Sequence, residues 1–325
     1  MRLTPPPFLP VRFWRGKPPT FFGALAPIFA VLLLALGLPL DCHAGLPLST
    51  VFKGQPTFDK LVARAERENW RSLPIGDRTV AVGLALTGTP YKGFTLEIDD
   101  RVEAPSVNFQ GLDCWTFYEV SLGFARMLRA KPGPYTPDDL LRMVETERYR
   151  HGRCTGEYLS RFHFLEELFY DNERRGLAVN ITRQLPGAER MDHRDIREMT
   201  VMWRHYRYLR SNPTLLPEMA RIQERVSDLP VYHVPKSRVP GIEKYLRDGD
   251  IIAITSRDTG GYTSHVGLAR RDSNGTLRFL HASSRYRQVI LDERLSAYLA
   301  DKRDDAGIIV ARPADVSGGV SLADR

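Results

Sequence analysis

The 325-residue chain reads as an α+β protein, and three observations set that class. Apolar residues recur at helical spacing through most of residues 57–230; one helix in that stretch, starting at Cys114, is apolar on nearly every side; and from residue 231 the texture changes to short β-like runs separated by turn residues. Helices followed by a meander of antiparallel strands imply helices on one side of a small sheet or barrel.

The N-terminus carries Arg2, Arg12, Arg15 and Lys17, then the apolar run "FFGALAPIFAVLLLALGLPL" and the small-residue stretch "DCHAG". This pattern predicts a secretory leader over residues 1–44, cut after Ala44, and so an exported, periplasmic or secreted protein. The apolar run is near bilayer-spanning length, so an uncleaved N-terminal anchor stands as the alternative, the only membrane contact expected. A lipoprotein signal is disfavoured because Asp41 precedes Cys42. Without four basic and one acidic leader residues, the formal charge falls from +7 to +4. No Arg/Lys block, zinc-finger spacing or RNA-binding aromatic signature accompanies it, so a nucleic-acid partner is not expected. Oligomeric state is not legible.

The mature domain is expected over 45–312. "TFDKLVARAERENW" places Phe58, Leu61, Val62 and Ala65 on one helix face behind Thr57, and a second helix runs from Ile75 to Thr87 between Pro74 and Gly88. "GTPYKGFTLEIDD" is turn chemistry, with Tyr91 in the turn. After the Cys114 helix, "TPDDLLRMVETERY", "YLSRFHFLEELFYDNERR", "HRDIREMTVMWRHYRYLR" and "LLPEMARIQERV" predict a large helical insertion over about 135–230. Strands are expected at "DIIAIT", "SHVGLAR", "TLRFLHAS", "QVIL" and "GIIVAR", with a short helix at "LSAYLAD". A Gly/Ser/Asp-rich tail, 313–325, is expected to be disordered.

With Cys42 in the leader, the mature chain holds Cys114 and Cys154. In an oxidising compartment they are either a disulfide or two free thiols. Asp113 is a good N-cap, which puts Cys114 in the first turn of a buried helix. There, unpaired N–H groups and the positive dipole end favour a thiolate and can receive an oxyanion. A thiol nucleophile needs a base, and the strand region offers His265 and His281. A five-residue loop at 271–275 would pair Arg270 with Thr276 and set His265 directly across from His281 on one face. A four-residue loop would put them on opposite faces.

A cysteine at a helix start, then a histidine on a strand, then a polar residue on the next strand resembles the NlpC-type cell-wall cysteine peptidases, which have a reduced papain-like fold. More narrowly, "GTPYKGFTLE", "LDCWTF", "YLSRFHF", "YDNERRG", "YHVPKSRVPGIEKYLRDGDIIAI", "SHVGLA" and "LHASS" are similar to the N-acetylmuramoyl-L-alanine amidase-like branch, over about residues 56–312. The resemblance implies that Cys114 is the nucleophile, His265 the general base and His281 the residue that orients it. It implies an oxyanion or substrate role for Tyr91, and substrate recognition by Ser160, Arg161 and His163. The implied reaction is cysteine-dependent amide hydrolysis of peptidoglycan or muropeptides, between N-acetylmuramic acid and L-alanine, without metal or cofactor. Trp115 departs from the small polar residue common after the cysteine in relatives. Three alternatives remain: cleavage between D-glutamate and the diamino acid, a non-catalytic cell-wall binding module, and a zinc hydrolase. For the last there is no H-E-x-x-H, and "HFLEE" supplies a single histidine.

Overall fold

The computed structural model describes residues 44–192, 194–257 and 262–315. All but the last residue of the expected leader, and most of the expected tail, lie outside the described residues. Seven helices carry the discussion: α1 (Gln55–Arg67), α2 (Ile75–Ala85), α3 (Cys114–Ala130), α4 (Pro137–Arg148), α5 (Leu165–Arg174), α6 (Leu216–Asp228) and α7 (Leu295–Ala300). The main sheet has eight strands: β1 (Ala178–Asn180), β2 (Glu189–Arg190), β3 (Tyr232–Pro235), β4 (Ile251–Ser256), β5 (Thr263–Arg271), β6 (Leu277–Ser283), β7 (Gln288–Arg294) and β8 (Asp305–Pro313). Their order is β2-β3-β8-β4-β5-β6-β7, with β1 also on β8, and every pairing in it is antiparallel.

Period-two alternation buries both faces of this sheet. Ala253, Val266, Leu268, Leu280, Ala282 and Ile309 join the core built by α1 to α4. Ile252, Ile254, Ala269, Phe279, Ile308 and Val310 join a second core closed by Leu295 and Leu299 of α7. Helix α3 lies on β5 and β6, between α2 and α4.

α3 is less uniformly apolar than its sequence suggests. Phe117, Val120, Leu122, Phe124 and Leu128 are buried, but so are Glu119 and Arg126. Glu119 pairs with Arg148 of α4 at 2.7 Å with neither side chain exposed, and Arg148 also donates to the Ser106 carbonyl at 3.1 Å. Arg126 pairs with Glu147, whose other oxygen accepts from Asn172 of α5 at 2.9 Å. Burying a charge is costly unless it is paired, so these contacts fix how α3, α4 and α5 pack.

The 135–230 region departs from expectation in two ways. It contributes β1 and β2 to the sheet. The helix expected over "HRDIREMTVMWRHYRYLR" is replaced, among the described residues, by a turn of helix at Glu198–Val201, a 3₁₀ turn at Trp203–His205 and a short helix at Arg207–Ser211. Glu97 accepts from the Tyr208 N–H at 3.0 Å, Asp100 binds Arg207, and the Arg101 carbonyl binds the Tyr208 hydroxyl. Contacts to residues 97–101 thus override local helix propensity.

Candidate functional site: a cysteine beside a histidine chain

Asp113 has extended backbone angles (φ −92°, ψ −177°) and caps α3 as its sequence predicts. Its Oδ1 accepts from the Thr116 N–H at 2.8 Å, Thr116 Oγ1 accepts from the Asp113 N–H at 3.0 Å, and the Thr95 hydroxyl donates to Oδ2 at 3.1 Å. This capping box holds Cys114 as the first helical residue. The N–H groups of Val266 (on the peptide that joins His265 to Val266), of Trp115 and of Cys114 itself lie near its sulfur and favour the thiolate. Cys114 and Cys154 are both free, so the disulfide alternative is set aside. The Cys154 thiol donates to the Glu103 carbonyl at 3.3 Å.

The β5–β6 hairpin turns through residues 272–276. Asp272 accepts from the N–H groups of Asn274 and Thr276, each at 3.0 Å, and Gly275 takes φ +79°. The loop has the expected five residues but sits one position later, pairing Arg271 with Leu277 and Ala269 with Phe279. Carried along the strand, this register sets Gly267, not His265, across from His281. Loop parity is unchanged, so the two histidines still share a face, now as diagonal neighbours. A Cβ on Gly267 would lie 2.7 Å from the His281 Cβ and 2.7 Å from the Leu280 carbonyl oxygen. The missing side chain is therefore what lets His281 lie across the strand toward His265. An irregularity between Ile254 and Thr255, which pair with His265 and Thr263, skips Ser264 where β5 enters the site.

His265 Nε2 and His281 Nδ1 are 2.7 Å apart, and His281 Nε2 is 3.1 Å from Asp292 Oδ2. These distances order the protons. A carboxylate only accepts, so His281 carries its proton on Nε2 and accepts at Nδ1. His265 then donates from Nε2, which leaves its Nδ1 as a lone pair. Two aromatic rings hold the pair: Phe279 stacks on His281 at 4.6 Å, and Tyr298 of α7 meets His265 at 6.4 Å and the edge of His281 at 5.2 Å. Asp292 and Tyr298 were not expected from sequence. Asp292 lies one residue beyond the run "QVIL", and β7 continues through it to Arg294.

The electrostatics run against the expected thiolate. Burial, then the adjacent Asp113 charge, push the Cys114 thiol up to about 12, outweighing the three N–H donors. Burial and the neighbouring His281 and Lys302 hold the His265 imidazole down at about 3, and His281 is also held low by burial. The resting pair is therefore a neutral thiol and a neutral imidazole. Because the thiolate fraction then grows tenfold per pH unit, alkylation of Cys114 by iodoacetamide is expected to rise about tenfold per unit from pH 6 to 9 with no plateau. A rate flat between pH 5 and 8 would show a preformed thiolate–imidazolium pair instead.

Tyr91 is brought to the cysteine. Its backbone bridges to Leu112, two residues before Cys114, and its N–H donates to the Arg287 carbonyl at 2.8 Å. Burial and the Cys114 and Asp113 charges push its phenol up to about 12, so it remains a hydrogen-bond donor. Ser160, Arg161 and His163 have a different setting. They precede α5 on a 3₁₀ turn and an extended segment, not on a helix surface. Ser160 donates to the Glu157 carbonyl at 2.6 Å. Buried Arg161 pairs with Glu103 at 3.2 Å and lies 5.0 Å over the Tyr158 ring. His163 lies 3.2 Å from the Tyr158 carbonyl and is held neutral by burial. Arg161 is thus engaged by internal carboxylates. Among the described residues no group of three or more His, Cys, Asp or Glu side chains is arranged to hold a metal ion.

A thiol at a helix N-terminus and an imidazole with a free nitrogen, backed by a second imidazole and a carboxylate, can carry out acyl transfer. The family model "AmiA-like: N-acetylmuramoyl-L-alanine amidase-like" matches residues 81–308, and the chain belongs to this family. Membership gives the protein a peptidoglycan amidase-like role. Among solved structures, an N-acetylmuramoyl-L-alanine amidase from Bacteroides uniformis ATCC 8492 is similar at 28% identity, covering 74% of this chain and 99% of that one, with a TM-score of 0.66. A Bacteroides fragilis protein with a provisional xylanase label is similar at 32% identity over 71% of this chain and 99% of its own, with a TM-score of 0.63. The Legionella pneumophila protein LPG0564 shares the fold at 19% identity over 81% of this chain and 97% of its own (TM-score 0.59). No match was found among curated protein sequences.

Proposed function

We propose that the protein is an exported cysteine-dependent amidase of reduced papain-like type that cleaves the amide between N-acetylmuramic acid and L-alanine of muropeptides or peptidoglycan through a thioester. The observation that carries this reading is the chain Asp292–His281–His265, which leaves His265 Nδ1 as a base while the peptide following His265 lies near the Cys114 sulfur. In this mechanism His265 Nδ1 takes the thiol proton as sulfur attacks the lactyl carbonyl. The oxyanion is received by N–H groups at the α3 N-terminus, with the Tyr91 hydroxyl as a further donor. His281 and Asp292 stabilise the imidazolium, which then protonates the leaving alanine nitrogen as the C–N bond breaks. His265 next deprotonates water, which attacks the thioester and releases the lactyl acid and the thiol.

The test is incubation with a sugar-linked tetrapeptide followed by mass spectrometry. Free tetrapeptide and a lactyl-bearing sugar are expected. A sugar-linked dipeptide plus a free dipeptide starting at the diamino acid would replace the assignment with an endopeptidase.

A further inference from the structure

A cavity of about 220 Å³ opens beside the histidine pair. Ser264, His265, His281, Asp292, Tyr298 and Lys302 line it, whereas Cys114 does not. In acyl transfer the acyl half stays on the sulfur while the imidazole hands its proton to the departing nitrogen. Space on the imidazole side therefore belongs to the leaving half of the substrate.

Arg285 being exposed, Lys302 is the partly buried cation in this space. Its side chain is partly buried, its ammonium lies 5.3 Å over the Tyr298 ring, and it forms no ion pair among the described residues. Its backbone is pinned: the carbonyl accepts from Lys236 Nζ at 2.6 Å, and the N–H donates to the Leu299 carbonyl at 3.1 Å. Its charge is felt at both imidazoles and at Asp292 and Asp305. The acids in the wall leave it without a contact partner. Asp292 is engaged by His281, Asp305 feels the Lys302 charge but forms no ion pair with it, and Asp301 and Glu293 are exposed. A partly buried cation in a polar cavity gains from an incoming anion, since pairing offsets the cost of its desolvation.

We propose that Lys302 makes this cavity a leaving-group subsite for amines that carry a free carboxylate, and that in a stem peptide it binds the α-carboxylate of the D-glutamyl residue following the scissile alanine. This rests on the amidase reading for the position of that residue. The test uses the Cys114→Ala protein and calorimetric titration with two released peptides: L-alanyl-γ-D-glutamyl-diaminopimelate, and the same peptide with its glutamyl α-carboxylate amidated. Amidation is expected to weaken binding by about 10- to 100-fold, the range of one hydrogen bond to a charged group. Adding Lys302→Met should weaken the free acid equally and leave the amidated peptide unchanged, while Lys302→Arg should restore the preference. Absence of binding, equal binding of the two peptides, or an equal loss for both in Lys302→Met would overturn the proposal. The titration involves no cleavage. An endopeptidase product pattern combined with Lys302-dependent peptide binding would therefore reject the bond assignment alone.

Discussion

Cys114→Ala is expected to lower muropeptide turnover by about 10⁴-fold or more, because loss of a nucleophile removes the whole covalent pathway and leaves only binding and the oxyanion donors. The fold should persist. The side chain is small and packs only partly buried against the core, so the unfolding free energy from urea titration should change by less than about 1 kcal/mol. Turnover in this variant within tenfold of the parent would remove Cys114 from the chemistry. So would activity that survives complete alkylation of Cys114.

The largest stability effect is expected away from the sulfur. Arg148→Met keeps much of the side-chain volume but strands the fully buried Glu119 carboxylate, whose protonation is already favoured by burial and opposed chiefly by Arg148. Breaking a buried pair from one side costs about 3–5 kcal/mol, a large share of the roughly 5–15 kcal/mol that holds a domain together. Urea unfolding should show a loss of that size, and Arg148→Met combined with Glu119→Leu should recover most of it. A loss below about 1 kcal/mol would mean that α3 does not depend on this pair. Since α3 presents Cys114, the damage should also appear as lower activity near the unfolding midpoint.

Much of this was legible from local chemistry. Asp113 caps the cysteine helix because a short acidic side chain before an apolar run satisfies the first-turn N–H groups, and that needs no tertiary information. The strands were readable from β-branched and apolar alternation, and the shared face of His265 and His281 followed from loop parity. Three things were not legible. The hairpin moved by one residue because Asp272, rather than Arg271, supplies the turn's side-chain acceptor. Asp292 was missed because "DER" has poor β propensity, so β7 appeared to stop at Leu291. The charge state of the cysteine was missed because the helix N-terminus is visible in sequence while the burial that opposes it is not. The surroundings of Arg161 were not legible for a related reason: Glu97 and Glu103, its partners, lie about sixty residues away in sequence and meet it only through the fold.

The small residue across from His281 bears on how portable such a site is. The cysteine and both histidines can be copied onto another helix and hairpin, and so can the carboxylate behind them. On a host with any side chain at the place of Gly267, however, the second imidazole would meet a Cβ at 2.7 Å and the relay would not assemble. A transplant that lists only reactive groups would therefore be chemically complete and geometrically dead. The recipe has to include one position specified by the absence of atoms.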